Sequence, residues 1–404
     1  MNLEKKVKGG RGTAMKKICM FSANYLPHMG GVENYTYHLS KKLVELGNKV
    51  TVVTTELSGC PTHEKKDGIE IFRMPSISLL NGRYPVCKVN KRFKKINRIL
   101  KLKHFDFIII HARFYFHSLY AARFAQKCHI PCIVIEHGSS HLSVNNKCLD
   151  FFGQIWEHFF TGILKHYCKD YYGVSKVACE WSGHFGIRSK GVLYNAVDLN
   201  AIHKILENPV VSYRKQYGIN EKDKIIAFTG RLIPEKGISQ LLDSFEEVSD
   251  NNTWLVVAGD GPLLNSMQIR KIPRTIFLGR IDFEHVISLL GETDIYCLPS
   301  VSEAMPTAVL EAIATKTFVI TTKRGGAVEI IRSDDYGIII DSNSIEDISH
   351  ALERALSDDE YRQSCVENSY RKLIANITWD KTAEKVMEII TRDKDENIDY
   401  YSRI

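Results

Sequence analysis

The chain has 404 residues, of which 44% are hydrophobic and 25% charged, so it is long enough for two domains with separate cores and ordinary in composition for a soluble protein. Its apolar runs are shorter than the roughly 18 residues of a membrane span, and its ten cysteines follow neither a Cys-x-x-Cys nor a zinc-ligand spacing, which suits a reducing compartment. Residues 1–104 hold 21 Lys and Arg against 7 Asp and Glu, a formal charge of +14 against −7 in the rest, so we expect the first part to meet an anionic partner.

The first elements predict a strand-helix-strand unit. Residues 17–22 and 49–54 form apolar strands, and residues 32–46 have apolar side chains at helical spacing. Gly30 and Gly31 stand at the first strand-to-helix turn, where a missing Cβ lets backbone N–H groups approach a phosphate or sugar. The turn lacks the Gly-x-Gly-x-x-Gly pattern of dinucleotide-binding proteins, which counts against a dehydrogenase.

Residues 88–104 predict a basic amphipathic helix, with apolar residues on one face and Lys and Arg over the remainder. Two interpretations stay open: the helix only packs its apolar stripe on a sheet, or its basic face also rests on anionic lipid, at about 1 kcal/mol per cation. Nucleic acid is not expected, because no aromatic and basic interleaving accompanies the helix. The cations of this candidate membrane face are Lys91, Arg92, Lys94, Lys95 and Arg98.

Two further strands are predicted, residues 105–111, which end at His111, and residues 131–138, which end in His137-Gly138. The carboxyl ends of parallel strands open into a crevice, so we expect His111 and His137 to point toward a site. Residues 139–169 are rich in aromatic residues and histidine. We interpret them as helical packing on the acceptor side and not as a metal site, because the spacing lacks His-x-x-x-His with a carboxylate partner.

The second half repeats the strand-helix rhythm after a linker turn. Residues 171–175 and 191–194 predict the last strands of the first domain, and we place the boundary at Asn195. Residues 357–390 predict helix. The predicted strands of the second domain are residues 225–228, 254–258, 276–278, 295–298, 318–321 and 338–340.

Two loops of the second half carry opposite charges. A Gly-bounded loop after one strand contains Arg231 and Lys236. Another strand leads through a tight loop containing Glu303 into a helix that holds Glu311 about one turn from its start. We expect the cations and the unpaired N–H groups of that helix to hold a diphosphate, while the carboxylates accept hydrogen bonds from sugar hydroxyls.

Eight short motifs follow one another between residues 16 and 390: Gly30–Glu33, Glu136–Gly138, Gly173–Ser175, Tyr194–Asp198, Gly230–Gly237, Gly259–Gly261, Glu303–Glu311 and Gly325–Gly326. In these motifs and their order the chain resembles the retaining glycosyltransferases of family 4, which have the GT-B fold. The resemblance implies an α/β protein with two Rossmann-like, doubly wound domains facing a central cleft. The chain departs from the family pattern at Ala196, where glycine is usual.

The resemblance also implies a domain plan. Residues 1–14 are expected to be a flexible extension, residues 15–194 the acceptor domain and residues 195–375 the nucleotide-sugar domain. Residues 376–391 are expected to be a helix that crosses back to the first domain, and residues 392–404 a mobile tail.

Site residues carry over position by position. The expected catalytic residues are His137, Arg231, Lys236 and Glu303. The expected acceptor-binding residues are His111, Ser175 and Asn195. The expected donor-binding residues are Gly30, Gly31, Gly230, Arg280, Met305, Pro306, Thr307, Ala308 and Glu311.

The implied activity is transfer of a sugar from a UDP- or GDP-sugar to an acceptor hydroxyl with retained configuration, without metal or cofactor. The acceptor is expected to be a lipid-linked or oligosaccharide chain of a cell-surface glycan such as capsule or O-antigen, and the enzyme to be cytoplasmic and peripheral at the inner membrane face. The alternatives are an epimerase or phosphorylase of the same fold, or a non-catalytic sugar-nucleotide-binding scaffold. The sugar, base, acceptor and oligomeric state stay open.

Overall fold

The computed structural model describes residues 14–28, 30–79, 84–141 and 147–401, with residue 147 and residues 393–401 as backbone only. Residues 1–13 of the predicted N-terminal extension lie outside the described residues. The chain divides into two compact units, Met1–Ile133 with His166–Cys168, and Val134–Lys165 with Lys169–Ile404. The domain boundary predicted at Asn195 rests on the resemblance and stays a prediction.

The first unit is built on a sheet that matches the predicted strand-helix-strand start. Its parallel strands are buried on both faces, as expected for strands covered by helices, and Phe107–His111 is buried throughout. In chain order the elements are β1 (Lys17–Phe21), α1 (Gly31–Glu45), β2 (Lys49–Thr55), β3 (His63–Lys66), β4 (Ile69–Met74), β5 (Ser76–Leu79), β6 (Tyr84–Cys87), α2 (Lys91–Leu102), β7 (Phe107–His111) and α3 (Phe116–Lys127).

Within this unit the strands lie in the order β7-β1-β2-β4-β3. The pairs β1–β2, β1–β7 and β2–β4 are parallel, and β3 pairs antiparallel with β4 at the edge. Lys17 is opposite Lys49, and Ile18 is opposite Phe107. The loops after β1 and β7 therefore leave neighbouring strands at one edge.

Helix α2 confirms the predicted amphipathic helix. Asn90 caps it by accepting a 3.0 Å hydrogen bond from the backbone N–H of Phe93. Phe93, Ile96 and Leu100 are buried on one face. The cations of the candidate membrane face, Lys91, Arg92, Lys94, Lys95 and Arg98, are all exposed.

The remaining elements run from strand β8 (Cys132–Glu136) to helix α14 (Trp379–Tyr401). Within the described residues, no helix combines the length and the apolar character that crossing a bilayer requires. The elements are β8 (Cys132–Glu136), α4 (Lys147–Tyr167), β9 (Asp170–Gly173), α5 (Lys176–Gly183), β10 (Gly191–Val192), α6 (Leu199–Glu207), α7 (Tyr213–Tyr217), β11 (Lys224–Thr229), α8 (Ile238–Val248), β12 (Thr253–Ala258), α9 (Leu264–Ile269), β13 (Thr275–Gly279), α10 (Phe283–Gly291), β14 (Ile295–Leu298), α11 (Thr307–Ala314), β15 (Phe318–Thr322), β16 (Ile338–Ile340), α12 (Ile345–Ser357), α13 (Asp359–Asn376) and α14 (Trp379–Tyr401).

The second unit contains a six-stranded, all-parallel sheet in the order β13-β12-β11-β14-β15-β16. All six predicted strands are present, because each is a short apolar run. The order 3-2-1-4-5-6 is that of a Rossmann-type sheet, which binds ligands where the strand order reverses. Here the reversal lies between β11 and β14, whose following loops carry Lys236 and Glu303.

The C-terminal helices differ in their bounds from the prediction. Helical structure begins at Ile345, because the Ser344 hydroxyl caps α12 by accepting from the N–H of Asp347 at 3.1 Å. Helix α14 continues to Tyr401, so the helix end predicted at residue 391 is wrong. The Thr382 hydroxyl of α14 donates to the carbonyl of Tyr194 at 2.9 Å.

Candidate functional site

An ion pair joins the two loops at the reversal point of the second sheet. Lys236, at the end of the 3-10 turn Pro234–Lys236, contacts the Glu303 carboxylate, and both side chains are largely buried. The carbonyl of Glu235 accepts hydrogen bonds from the N–H of Val301 and the hydroxyl of Ser300, each at 3.0 Å. An ion pair and two hydrogen bonds therefore connect the two loops that are predicted to bind the sugar donor.

Two glycines let neighbouring loops, one after β11 and one after β15, approach the segment from Pro299 to Glu303 closely. Gly237 has φ 71°, and a Cβ there would strike the carbonyl oxygen of Pro299. Gly325 has φ 124°, and a Cβ there would strike the carbonyl oxygen of Glu303. An L-amino acid at either position would be strained in its backbone and would push apart the loops that form the site.

Glu311 is a carboxyl group largely removed from water. It lies in α11, one turn after Thr307, and desolvation raises its pKa to about 8. Burial also raises the pKa of Tyr296, to which the charges of Glu311 and Glu303 add. The Tyr296 hydroxyl is 3.2 Å from the Thr229 hydroxyl at the end of β11. Glu311 and Glu303 therefore both lie close enough to Tyr296 to affect the pKa of its hydroxyl.

The start of α11 adds hydrogen-bond donors. Met305 and Pro306 are buried, and Pro306 occupies the N-cap position. The first backbone N–H groups, those of Thr307 and Ala308, lie at the positive end of the helix, where intrahelical acceptors end. The Asn195 amide donates to the Thr307 hydroxyl at 2.9 Å, which places the predicted acceptor-binding Asn195 against a predicted donor-binding helix.

The turn after β8 is held by its own acidic residue. Glu136 is buried, and its carboxylate accepts from the N–H of His137 at 3.0 Å and of Gly138 at 2.8 Å. Desolvation lowers the pKa of His137 to about 3, so its imidazole is neutral near pH 7. A neutral imidazole offers one donor and one acceptor, which suits contact with sugar hydroxyls.

Ser175 and Glu329 lie where the start of α5 meets the loop after β15. This loop contains Gly325 and Gly326 and is called the glycine loop below. Ser175 is fully buried and caps α5, because its hydroxyl accepts from the N–H of Ala178 at 3.1 Å. The Glu329 carboxylate accepts from the N–H of Lys176 at 2.6 Å and the hydroxyl of Tyr194 at 2.7 Å. Glu329 was not among the predicted site residues, and the signal that could have found it is its place three residues after Gly326.

The other predicted residues of the second unit follow strands on the same side of its sheet, with β12 between them. Arg231 follows β11 and Arg280 follows β13, and both side chains are exposed. The backbone N–H of Gly230 donates to the carbonyl of Ala258 at 2.9 Å, which holds the base of the Arg231 loop against β12.

The remaining predicted residues belong to the first unit. Gly30 precedes α1 in extended conformation and Gly31 is its first residue. His111 is fully buried at the end of β7, where its ring meets Tyr35 edge-on at 5.7 Å. His111 therefore lies inside the core of that unit and is not at its surface.

Comparison with known proteins identifies the chain. Residues 29–201 match the family model Glycosyltransferase Family 4, and residues 211–372 match the model Glycosyl transferases group 1. The chain is a glycosyltransferase with a Family 4 domain followed by a group 1 domain. The GPI3 subunit of the phosphatidylinositol N-acetylglucosaminyltransferase of Saccharomyces cerevisiae is 24% identical to this glycosyltransferase over 93% of the chain and 82% of its own length.

Two further relatives bear on its fold and class. The putative teichuronic acid biosynthesis glycosyltransferase TuaC of Bacillus subtilis is 25% identical over 80% of each chain. HepE of Anabaena, solved in complex with UDP-glucose, superposes with a TM-score of 0.72 at 16% identity, over 93% of this chain and all of its own. The predicted GT-B fold, an α/β protein with two Rossmann-like domains, is thereby confirmed.

Proposed function

We propose that this glycosyltransferase uses a nucleoside diphosphate sugar, with UDP or GDP as the nucleotide, and binds its diphosphate at the reversal point of the second sheet. The observation that carries the proposal is the convergence of Lys236, Glu303 and the start of α11 on that point. Diphosphate oxygens are acceptors for an ammonium and for helix N–H groups, and charge-assisted hydrogen bonds of this kind contribute roughly 1.5–3 kcal/mol each.

The two carboxyl groups have different proposed roles. Glu311 binds the ribose hydroxyls, and its raised pKa means that the protonated form can donate to one hydroxyl while the ionised form accepts from two. Glu303 orients hydroxyls of the transferred sugar. Its ion pair with Lys236 fixes its direction and keeps the ammonium next to the phosphate.

The proposed transfer retains the anomeric configuration. A bond forms between the acceptor oxygen and the anomeric carbon as the bond from that carbon to the phosphate oxygen breaks. The acceptor proton passes to the leaving phosphate on the same face. Lys236, Arg231 and the α11 N–H groups stabilise the charge on the departing diphosphate, where loss of one donor typically costs about 10²–10³ in rate.

The proposed acceptor is a lipid-linked saccharide met at the membrane surface. The exposed cations of α2 support this, since anionic lipid attracts each nearby Lys or Arg by about 1 kcal/mol. Beside α2 lies a groove of about 310 Å³ whose walls include Phe93, Tyr120 and Phe124 and whose lining also includes Lys101 and Arg123. Apolar walls beside cations match a lipid with an anionic headgroup.

Two relatives bear on the acceptor class. The name of one contains phosphatidylinositol, and the name of the other contains teichuronic acid biosynthesis. The proposed enzyme is cytoplasmic, is held peripherally at the inner membrane face and acts in cell-surface glycan synthesis. Neither metal nor cofactor enters the proposed step, because the cations and helix N–H groups neutralise the diphosphate.

The proposal is tested by titrating the protein with UDP, GDP and their sugars in a calorimeter, followed by turnover with a lipid-linked acceptor. We expect one nucleotide class to bind and the glycosidic product to keep the donor's configuration by NMR. Release of free sugar that is equal with and without acceptor would favour an epimerase. Release that requires inorganic phosphate would favour a phosphorylase. Nucleotide binding without any turnover would favour a non-catalytic scaffold. Absence of binding by every nucleotide tested would reject the site.

A further inference from the structure

Three histidines from separate elements converge beside the turn that follows β8. His141 comes from the segment after that turn, His158 from α4 and His184 from the end of α5. One ring nitrogen of each lies within 4.8 Å of those of the others. Nε2 of His158 and Nε2 of His184 are 3.2 Å apart.

A buried carboxylate orients one of these rings. Glu157 is 2% exposed, and its Oε2 is 3.1 Å from Nδ1 of His141. The carboxylate requires a proton on Nδ1, which leaves the lone pair of Nε2 for another partner. Histidines that bind metal ions usually donate their second N–H to such a carboxylate.

Aromatic packing fixes the other rings. The indole of Trp181 stacks on His184 with an interplanar angle of 5° and a centroid distance of 4.9 Å, and meets His141 edge-on at the same distance. Phe185 packs against His158 at 4.7 Å. The imidazoles are therefore held in place before any ligand arrives.

We propose that His141, His158 and His184 bind a divalent transition-metal ion of the Zn²⁺ class, with Glu157 as the group that orients His141. Zinc–nitrogen bonds of 2.0–2.1 Å in a tetrahedral arrangement place two ligand nitrogens about 3.3–3.4 Å apart, close to the observed separation of the His158 and His184 nitrogens. Three neutral imidazoles favour Zn²⁺, Ni²⁺ or Cu²⁺ over the oxygen-seeking Mg²⁺ and Ca²⁺. A water molecule completes the coordination, since His158 and His184 are exposed.

The sequence-based expectation that residues 139–169 hold no metal site does not cover this arrangement. It considered only the spacing within one segment, whereas the third ligand, His184, comes from another helix. The ion ties α4, α5 and the segment after the Glu136–Gly138 turn together. This role is positional, and it does not depend on the proposed sugar transfer.

The first test measures metal binding by protein whose affinity tag has been removed and whose metal has been stripped by a chelator. Calorimetry with ZnCl₂ should show one ion per chain, and Co²⁺ should give the visible absorption of a tetrahedral site. His158→Ala and His184→Ala should each weaken Zn²⁺ binding at least about tenfold, and Glu157→Gln about 10–100-fold. His166→Ala, which removes an exposed histidine of the same helix α4, is the matched control and should change nothing.

Folding of each variant is checked by circular dichroism, and a second measurement needs no variant. Zn²⁺ should protect His141, His158 and His184 of the wild-type protein from diethyl pyrocarbonate, while His166 stays reactive in peptide mass spectra. The proposal is overturned if the protein binds no stoichiometric Zn²⁺, if Zn²⁺ binding survives the His158→Ala/His184→Ala change, or if the metal protects His166 equally.

Discussion

The Tyr194 hydroxyl donates a 2.7 Å hydrogen bond to the carboxylate of Glu329, which also accepts from the N–H of Lys176. Burial raises the pKa of Tyr194, and its hydrogen bond to Glu329 adds to the effect. The residue before the linker turn, the start of α5 and the glycine loop are thus joined through one nearly buried acid.

Removing that acid should destabilise the protein. Glu329→Ala leaves the Lys176 N–H and the Tyr194 hydroxyl without their acceptor, and each of these part-buried hydrogen bonds contributes about 0.5–1.5 kcal/mol. We expect a fall of about 1–3 kcal/mol in the free energy of unfolding, measured by urea denaturation. Tyr194→Phe should cost about 1 kcal/mol. A Glu329→Ala variant as stable as wild type would show that these hydrogen bonds contribute nothing to the free energy of unfolding.

Glu311 should make stability depend on pH. Its pKa is about 8 in the folded protein and near the ordinary glutamate value when unfolded, so the folded state holds a proton that the unfolded state has lost. Stability at this site therefore falls as pH rises from about 4.5 to about 8 and then levels off. Glu311→Gln should raise the melting temperature relative to wild type at pH 8 by about 5 °C, and by much less at pH 4.5.

The matching measurement is a melting series of both proteins across that range. An equal difference at all pH values would contradict the assigned titration. Nucleotide binding supplies an independent comparison, because Glu311→Gln should weaken nucleotide affinity if the carboxylate holds the ribose.

His137 should change stability with pH in the opposite direction. Its pKa of about 3 lies below the ordinary histidine value. On acidification the imidazole therefore binds a proton in the unfolded chain at a pH where it is still neutral in the folded protein. This contribution destabilises the protein as pH falls from about 6.5 toward 3. His137→Gln should remove about 1–2 kcal/mol of the acid-induced loss at pH 4.5, after allowance for partial solvent access, as measured by urea denaturation at pH 7 and 4.5. An unchanged acid-induced loss in the variant would contradict a neutral His137 imidazole in the folded protein.

Lys236 and Arg231 should be required for turnover. Replacing either by Ala removes a cation from the proposed diphosphate site, and we expect kcat/KM to fall at least about a hundredfold. Lys316→Ala is the matched control, because Lys316 follows the opposite end of α11 and is exposed and ion-paired with Glu367. Near wild-type turnover in Lys236→Ala would reject the diphosphate assignment.

The basic face of α2 should govern attachment to anionic lipid. Changing Lys91, Lys94, Lys95 and Arg98 to Gln should abolish flotation with liposomes containing phosphatidylserine, while flotation with neutral liposomes stays low throughout. Lys65→Gln/Lys66→Gln, on the exposed edge strand β3, is the control. Unchanged flotation of the α2 variant would reject the membrane-face interpretation.

The buried parallel strands could be predicted from the sequence because each is an uninterrupted apolar run. Strand β14 matches residues 295–298, and β16 matches residues 338–340. Edge strand β3 could not be found, since His63–Lys66 is polar and its pairing with β4 is antiparallel. Helix α14 was predicted too short because charged residues, though good helix formers, resemble a solvated tail.

The site was predicted as a set of residues, but not as a set of contacts. Lys236 and Glu303 are separated by 67 positions, and no local pattern indicates that they pair. The convergence of His141 with His184 has the same origin: it depends on how α4 and α5 pack. Contacts of this kind follow from tertiary packing, which the spacing along the chain does not contain.

The glycine contacts at Gly237 and Gly325 give the positions of these loops different freedom to evolve. The backbone path leaves no space for an added methyl group at either glycine, whereas the side chain of Pro234 is exposed. Libraries that randomise Pro234 and preserve both glycines should therefore yield folded proteins, and libraries that vary the glycines should mostly yield misfolded chains.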